Sequence, residues 1–255
     1  MTTLSAAADV LRCYSDERRD LTVTQVSRLL EMPKSNASRL LRAMSACGLL
    51  EPVGATKRYR PGVAVHEAGR QYRLTSPFAI KLDEAAQAVG DKLGDAVEMI
   101  CVVERDGPLV LCVAERAATG PLLRPAGTRR TAAAAAPGHA LLARLRDDDI
   151  SALISRAAAG FAPIAGSGIE EVSRHVALAR RRGFASLPDA RGRVEIAVAL
   201  GDPQARKEAA LTVVTRDNAA AAAVIDIARS LHEACGALAS SLRDPVFRSF
   251  EPDAA

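Results

Sequence analysis

The stretch Leu21-Thr22-Val23-Thr24-Gln25-Val26-Ser27-Arg28-Leu29-Leu30-Glu31-Met32-Pro33-Lys34-Ser35-Asn36-Ala37-Ser38-Arg39-Leu40-Leu41-Arg42-Ala43-Met44 decides how this 255-residue chain is read. Thr22 stands as N-cap of a short helix, Val23–Leu30, and Gln25 three residues on completes a capping-box pattern. Val26, Leu29 and Leu30 form its inward side. Glu31-Met32-Pro33 breaks that helix. Pro33 then enters the first turn of the next, where its missing N–H costs little. In the second helix, Lys34–Ala46, the residues Ala37, Leu40, Leu41 and Met44 recur at i, i+3, i+4 and i+7 on one face. Lys34, Ser35, Asn36, Ser38, Arg39 and Arg42 occupy the other, with no acid in the helix. That chemistry suits the DNA major groove. Arginine pairs bidentately with guanine, asparagine with adenine, and hydroxyls reach phosphate oxygens. A solvated cationic face would account for this helix about as well if it stood alone. The three-residue turn joining it to a preceding helix favours a helix-turn-helix.

Working outward, Leu4, Ala7, Ala8, Leu11 and Tyr14 line one side of an earlier amphipathic helix, followed by the polar loop Ser15–Asp20. Gly48 is placed to end the basic helix as a C′ residue. Leu49–Val53 and Lys57–Arg60 read as two short strands about Gly54-Ala55-Thr56, a small wing with a basic second strand. Lys57 and Arg58 near its tip would touch backbone phosphate. Residues 1–75 hold 12 lysines and arginines against 7 acids, while the rest of the chain holds 22 against 23. The basic excess lies entirely in the first third. It points to nucleic acid or another anionic surface without choosing between them.

Hydrophobic residues make up 49% of the chain and charged ones 25%, ordinary values for a globular protein and far from those of a disordered one. The apolar runs Ala132–Ala143 and Ala219–Ala228 fall short of the roughly 20 residues a membrane-spanning helix needs. Met1-Thr2-Thr3-Leu4-Ser5 has neither a basic nor an apolar leader region, so a cytoplasmic location is expected. The five cysteines are scattered without a Cys-x-x-Cys pair, and His232 with Cys235 offers too few ligands for a zinc site. No metal and no cofactor is expected. A Gly-x-Ser-x-Gly elbow, a P-loop and a paired-histidine metal motif are all missing, and Gly166-Ser167-Gly168 is too short a fragment to count. No catalytic residue is nominated, and the chain is not read as an enzyme.

Beyond residue 62 the pattern changes. Between Val63 and Ser76, Val65–Leu74 reads as a polar linker helix closed by Pro77, and a new helix runs to about Leu93 with Ile80, Leu82, Ala85, Ala86, Val89 and Leu93 as its apolar positions. Strands follow at Ala96–Val103 and Leu109–Ala114, joined by Glu104-Arg105-Asp106-Gly107-Pro108. A loop from Pro121 to Arg130 leads into Ala132–Leu145. Helices are expected at Asp147–Ala158 and Ile169–Arg182, and a short strand after Gly183-Phe184-Ala185. Arg193–Leu200 and Glu208–Thr215 form a hairpin across Gly201-Asp202-Pro203-Gln204. Asn218 caps a last helix, Ala219–Leu242, and the tail from Asp244 is expected to fray. This order describes an α+β domain, an antiparallel sheet flanked by helices.

The opening stretch, with Pro33-Lys34-Ser35, Arg39-Leu40-Leu41 and then Gly48-Leu49-Leu50, resembles the DNA-binding half of IclR-type transcriptional regulators. Gly138-His139-Ala140-Leu141-Leu142-Ala143, Arg182-Gly183-Phe184, Ile196-Ala197-Val198 with Asp202, and Ala209-Ala210-Leu211-Thr212-Val213 resemble, in that order, their GAF-like effector domain. The resemblance implies a mainly α winged helix-turn-helix at 1–62, a linker helix at 63–75, a GAF-like effector-binding and oligomerisation domain at 76–245, and a tail at 246–255. It further implies a homodimer, commonly a dimer of dimers, that binds a pseudo-palindromic operator in double-stranded DNA. Its DNA affinity would change on binding a small organic effector. The DNA-contact set is Thr24, Gln25, Lys34, Ser35, Asn36, Ser38, Arg39, Arg42, Lys57 and Arg58. The effector lining carried over is Leu122, Ala136, Pro137, Glu195, Thr212 and Val214.

Departures from the family pattern cluster near that lining. His139 replaces a common lysine, only Asp189 remains of an acidic stretch, Ala199 stands for proline, and Glu195 falls where a small residue is usual. Strand alternation puts Arg193, Glu195, Ala197 and Ala199 on one face. Two readings of that face stay open. In the first, Glu195 borders a cavity and favours a neutral or hydrogen-bond-donating ligand unless Arg193 neutralises it. In the second, a helix packs closely there. A GAF-like metabolite sensor acting through protein contacts is the alternative function.

Overall fold

Thr22 organises the first domain. Its hydroxyl accepts from the Gln25 amide at 3.2 Å while its own amide donates to Gln25 Oε1 at 2.8 Å, the reciprocal bonds of a capping box. The computed structural model describes residues 2–15, 18–105, 110–117, 122–150, 169–188, 192–216 and 219–253. The chain divides into two units, Met1–Ser76 and Pro77–Ala255. The first holds α1 (Thr3–Arg12), β1 (Leu21–Thr22), α2 (Val23–Leu29), α3 (Lys34–Ala46), β2 (Leu50–Pro52), β3 (Arg58–Pro61) and α4 (Val63–Thr75).

Ala6, Val10, Leu21, Val26, Ala37, Leu40, Leu41, Met44 and Leu50 make its core, so the apolar face read from α3 is buried in full. The end of α3 is a complete Schellman motif. Gly48 N–H reaches Ser45 O at 3.2 Å and Leu49 N–H reaches Met44 O at 2.9 Å, with Gly48 at φ +77°. The wing differs from a two-stranded hairpin. Leu21–Thr22 adds a third strand, giving the order β1-β3-β2, because Leu21 and Thr22 pair with Tyr59 and Arg58. Tyr14 donates to Tyr59 O at 3.1 Å, and burial, with Cys13 and Asp20 nearby, pushes its phenol to about 12.

The second unit is built on one antiparallel sheet of β4 (Val97–Arg105), β5 (Val110–Ala117), β6 (Leu122–Thr131), β7 (Ala185–Pro188), β8 (Val194–Asp202) and β9 (Lys207–Thr215), in the order β6-β5-β4-β9-β8-β7. Its helices are α5 (Pro77–Leu93), α6 (Ala136–Leu142), α7 (Ile169–Arg182) and α8 (Ala221–Leu242). Alternation sorts the side chains into two faces. Ile100, Val102, Ile196, Val198, Leu200, Leu211 and Val213 pack with α5 and α8. Val103, Ala185, Ala197 and Ala210 pack with α6 and α7. The second face is rich in alanine, and α6 lies close against it.

Three expectations are corrected. The loop expected to run to Arg130 is, from Leu122 on, a strand, because Leu122–Thr131 pairs with β5 as an edge strand. Ile80 is exposed rather than inward, since Phe78, Leu82, Ala86 and Val89 set the phase of α5's buried side. The tail does not fray in its described part. Phe250 stacks on Phe184 at 5.7 Å, Phe247 packs against the His232 ring at 4.8 Å, and the Glu251 amide donates to Arg182 O at 3.1 Å. Asn218, Asp189, Gly166-Ser167-Gly168 and the Asp147–Ala158 helix beyond residue 150 lie outside the described residues.

One buried ionic cluster ties the second unit together. Arg144, 5% exposed, holds Asp244 in a two-bond fork at 2.9 Å each and reaches Glu208 at 3.2 Å. Asp244 also accepts from the amides of Gly201 and Val246. Burial would raise its carboxyl, but Arg144 and these amides outweigh that and hold it below its ordinary value. Arg144→Met strands this carboxylate without its partner. The substitution is expected to cost about 3–5 kcal/mol in urea unfolding of the full chain. A loss below about 1 kcal/mol would show the pair to be dispensable.

Candidate nucleic-acid interface and effector face

On α3 the residues Lys34, Ser35, Asn36, Arg39 and Arg42 are exposed and Ser38 is half-buried. Because Ala37, Leu40, Leu41 and Met44 fix the opposite side in the core, this polar face has one orientation on its domain. Asn36 and Arg39 also border a groove of about 470 Å³ between α1 and α3, lined further by Thr2, Thr3, Ala6, Met32, Leu40 and Ala43. Arg42 Nε turns back to Ser38 O at 3.3 Å. Thr24 and Gln25 are exposed at the start of α2, and Gln25 Oε1 is engaged in the capping box, which leaves its amide N–H groups as the donors toward a phosphate.

In the wing, Lys57 is exposed at the turn, whereas Arg58 is tied to Asp20 by Nε to Oδ1 at 2.6 Å. Arg60, which the sequence reading passed over, pairs with Glu51 across β2 and β3 at 2.6 Å. Of the two wing cations nominated, Lys57 stands at the tip and Arg58 braces the wing against the loop before β1.

The other nominated residues lie on the alanine face of the larger sheet. Every residue of α6 is buried. Glu195, 5% exposed, accepts a hydrogen bond from the Ala136 amide at 3.0 Å, so its carboxylate caps the start of α6. Arg180 serves the other end, donating to Ala143 O at 3.2 Å and Leu145 O at 2.8 Å. A Cβ on Gly138 would lie 1.8 Å from Ala132 O, so only glycine permits this approach. Of the two readings left open for Glu195, close packing of a helix is the one present. Arg193 pairs with Glu98. Ala136, Pro137, Thr212 and Val214 are buried on the same face, and the Thr212 hydroxyl has no hydrogen-bond partner. Leu122 begins β6.

His139, which stands in the Gly138–Ala143 run where the family commonly has lysine, is buried at 2% exposure. Its Nε2 lies 2.9 Å from Ala133 O; a carbonyl only accepts, so the proton sits on Nε2. Nδ1 has no partner, and the ring stacks on His175 at 5.3 Å beside a cavity of about 10 Å³, room for one water. Burial, and then His175, lower its pKa against opposing effects from Ala133, Glu195 and Glu171. Among the described residues, no group of three or more His, Cys, Asp and Glu side chains is placed to hold a metal ion.

Residues 3–54 match the IclR helix-turn-helix domain. The chain is 26% identical over 160 residues to the Pca regulon regulatory protein of Pseudomonas putida, covering 62% of this chain and 53% of that one. It is 28% identical over 163 residues to the HTH-type transcriptional regulator TtgV, also of Pseudomonas putida, covering 59% and 57%. It thus spans little more than half the length of these curated relatives. An IclR transcriptional regulator from Alicyclobacillus acidocaldarius shares the fold with a TM-score of 0.73 at 17% identity, over 93% of this chain and 97% of that one. An IclR homolog from Microbacterium hydrocarbonoxydans, complexed with 4-hydroxybenzoate, does so at 0.66 and 24%, over 95% and 99%.

The lowered pKa of His139 carries a sign. An imidazole kept neutral in the native state binds fewer protons than the unfolded chain does below its ordinary value of 6.5. Its contribution to stability is therefore present above 6.5 and lost as pH falls toward the folded value. His139→Gln retains a donor for Ala133 O and removes the titration. Thermal unfolding of both forms between about pH 7.5 and 5.5 should show the wild-type advantage shrinking with acid. A constant gap would mean that His139 does not titrate in this range.

Proposed function

We propose that this chain is a ligand-responsive transcriptional regulator of the IclR type whose first domain binds a pseudo-palindromic operator. The observation that carries the reading is the acid-free exposed face of α3, held in one orientation by the buried opposite face. Arg39, Asn36 and Ser35 are the base-contacting residues of the proposal. Lys34, Ser38, Arg42 and Lys57 bind phosphate, with Thr24 and Gln25 at the start of α2 and Arg58 in support. One recognition helix reads only a few base pairs. A two-fold dimer presents two helices to half-sites about one helical turn apart, or a multiple of that, which is why a homodimer belongs to the proposal.

The second domain is the effector-binding and assembly half of the same reading, with a dimer of dimers as the proposed state in the cytoplasm. The solved homolog that holds 4-hydroxybenzoate supports a small organic effector for this domain. An effector changes DNA affinity only by binding the DNA-competent and incompetent arrangements unequally, and α4 is the covalent route between the domains.

Arg39→Ala is expected to weaken operator binding by about 1–3 kcal/mol and to relax specificity, while Lys57→Ala weakens all sequences alike and reduces the salt slope by about one unit. Gel-shift titrations on operator and scrambled duplexes at two salt concentrations read both effects. Equal losses on both duplexes for Arg39→Ala would remove α3 as the reading helix. No DNA binding at all would favour a sensor that acts through protein contacts.

A further inference from the structure

Between the buried side of α3 and its polar face runs a flank of Asn36, Arg39, Leu40 and Ala43, at i, i+3, i+4 and i+7. With Met32, this flank forms one wall of the groove of about 470 Å³ beside α1, and Thr2, Thr3 and Ala6 form the other. The floor is the edge of the domain core, at Ala6 and Leu40. Ala43 and the threonines are short, so the space over that floor stays open. The volume falls within the range of ligand pockets, roughly 300–1,000 Å³.

None of the residues lining the groove is acidic. α1 has no acid in its first turn, and Asp9 further along it is engaged by Arg12 at 3.2 Å. Thr3, Asn36 and Arg39 are exposed, and among the described residues their side chains have no hydrogen-bond or ionic partner. The Thr2 hydroxyl, by contrast, accepts from the Ser5 amide at 3.2 Å. A guanidinium, an amide and a hydroxyl around an apolar floor suit a phosphodiester with its sugar. The donors reach the phosphate oxygens, and the floor meets the carbon face of the sugar. Continuity singles out this occupant. Asn36 and Arg39 belong both to the groove and to the face that reads bases, so a strand read there brings its own backbone to the groove.

We propose, resting on the DNA-binding reading above, that the groove between α1 and α3 holds the sugar-phosphate backbone of the DNA, with Thr3 in contact with a phosphate. Such a contact carries no sequence information and sets the register of α3 on the duplex. α1 thereby joins α2, α3 and the wing in the interface.

Thr3 is exposed and is not the cap of α1, so a charge can be placed there with the fold intact. Neighbouring Leu4, 83% exposed and outside the groove, controls for the change in net charge. The full chain and its Thr3→Glu, Leu4→Glu, Thr3→Arg and Leu4→Arg variants are titrated by fluorescence anisotropy at several salt concentrations. The probe is a mixed-sequence duplex long enough for two half-sites, and each protein is also sedimented alone. Thr3→Glu is expected to bind about tenfold more weakly than Leu4→Glu, because its carboxylate faces a phosphate at close range. Thr3→Arg should tighten binding and steepen the salt slope by about one unit, while Leu4→Arg leaves the slope as it is. Equal effects at the two positions overturn the proposal and leave the DNA-binding reading standing. A changed sedimentation of Thr3→Glu, with the salt slope of Thr3→Arg unmoved, assigns the groove to a second copy of the chain and overturns it as well. A wild type that binds no duplex overturns both.

Discussion

A buried helix of seven residues must have its ends satisfied, and at the start of α6 in the second domain a hydrogen bond from the Ala136 amide to Glu195 does so. The first turn of a helix leaves N–H groups without partners inside the helix, and Pro137 has none to offer. The alanine side chains around it hold no acceptor. Glu195 supplies one at the start of α6 and Arg180 the donors at its end, each with the sign of charge that the helix dipole favours there. Gly138 then lets the backbone lie against Ala132, and α6 closes over the sheet.

The first domain solves the corresponding problem with local chemistry. The capping box of Thr22 and Gln25 starts α2, and the Schellman turn at Gly48 ends α3. Between them, Ser27 donates to Met32 O at 2.6 Å, and Glu31 adopts a positive φ of 50° to reverse the chain. These bonds settle where α3 begins and ends, and its buried apolar residues settle which way it faces. Position and orientation of Asn36 and Arg39 follow from groups on the other side of the helix and at its ends. The exposed side of the helix is left free to carry whatever chemistry recognition demands.

What the sequence made legible follows from the range of the interactions involved. The bounds of α3, the capping box and the C′ role of Gly48 depend on near neighbours along the chain, and each stands as read. The pairing of Leu21 with Tyr59 joins two distant segments, and no local pattern announced it. Arg58 read as a free wing cation for the same reason, since Asp20 comes to it only through that pairing. β6 was missed because Pro125 and Gly127 punctuate it like a loop, whereas an edge strand tolerates both. Alternation gave the face of Glu195 correctly, but nothing in its neighbours pointed to the Ala136 amide, 59 residues earlier.

The Arg144–Asp244 fork joins residues 100 positions apart, and β4 finds its partner β9 across a comparable length of chain. The first domain is held by nearer neighbours in sequence. Closing long loops must be paid in chain entropy before any contact forms, so topology of the second kind is reached slowly. The two halves are thus matched to different clocks. The first domain, closed by shorter loops, is expected to complete early, while the larger sheet waits for distant segments to meet. During that interval the alanine face and its polar groups are open to solvent.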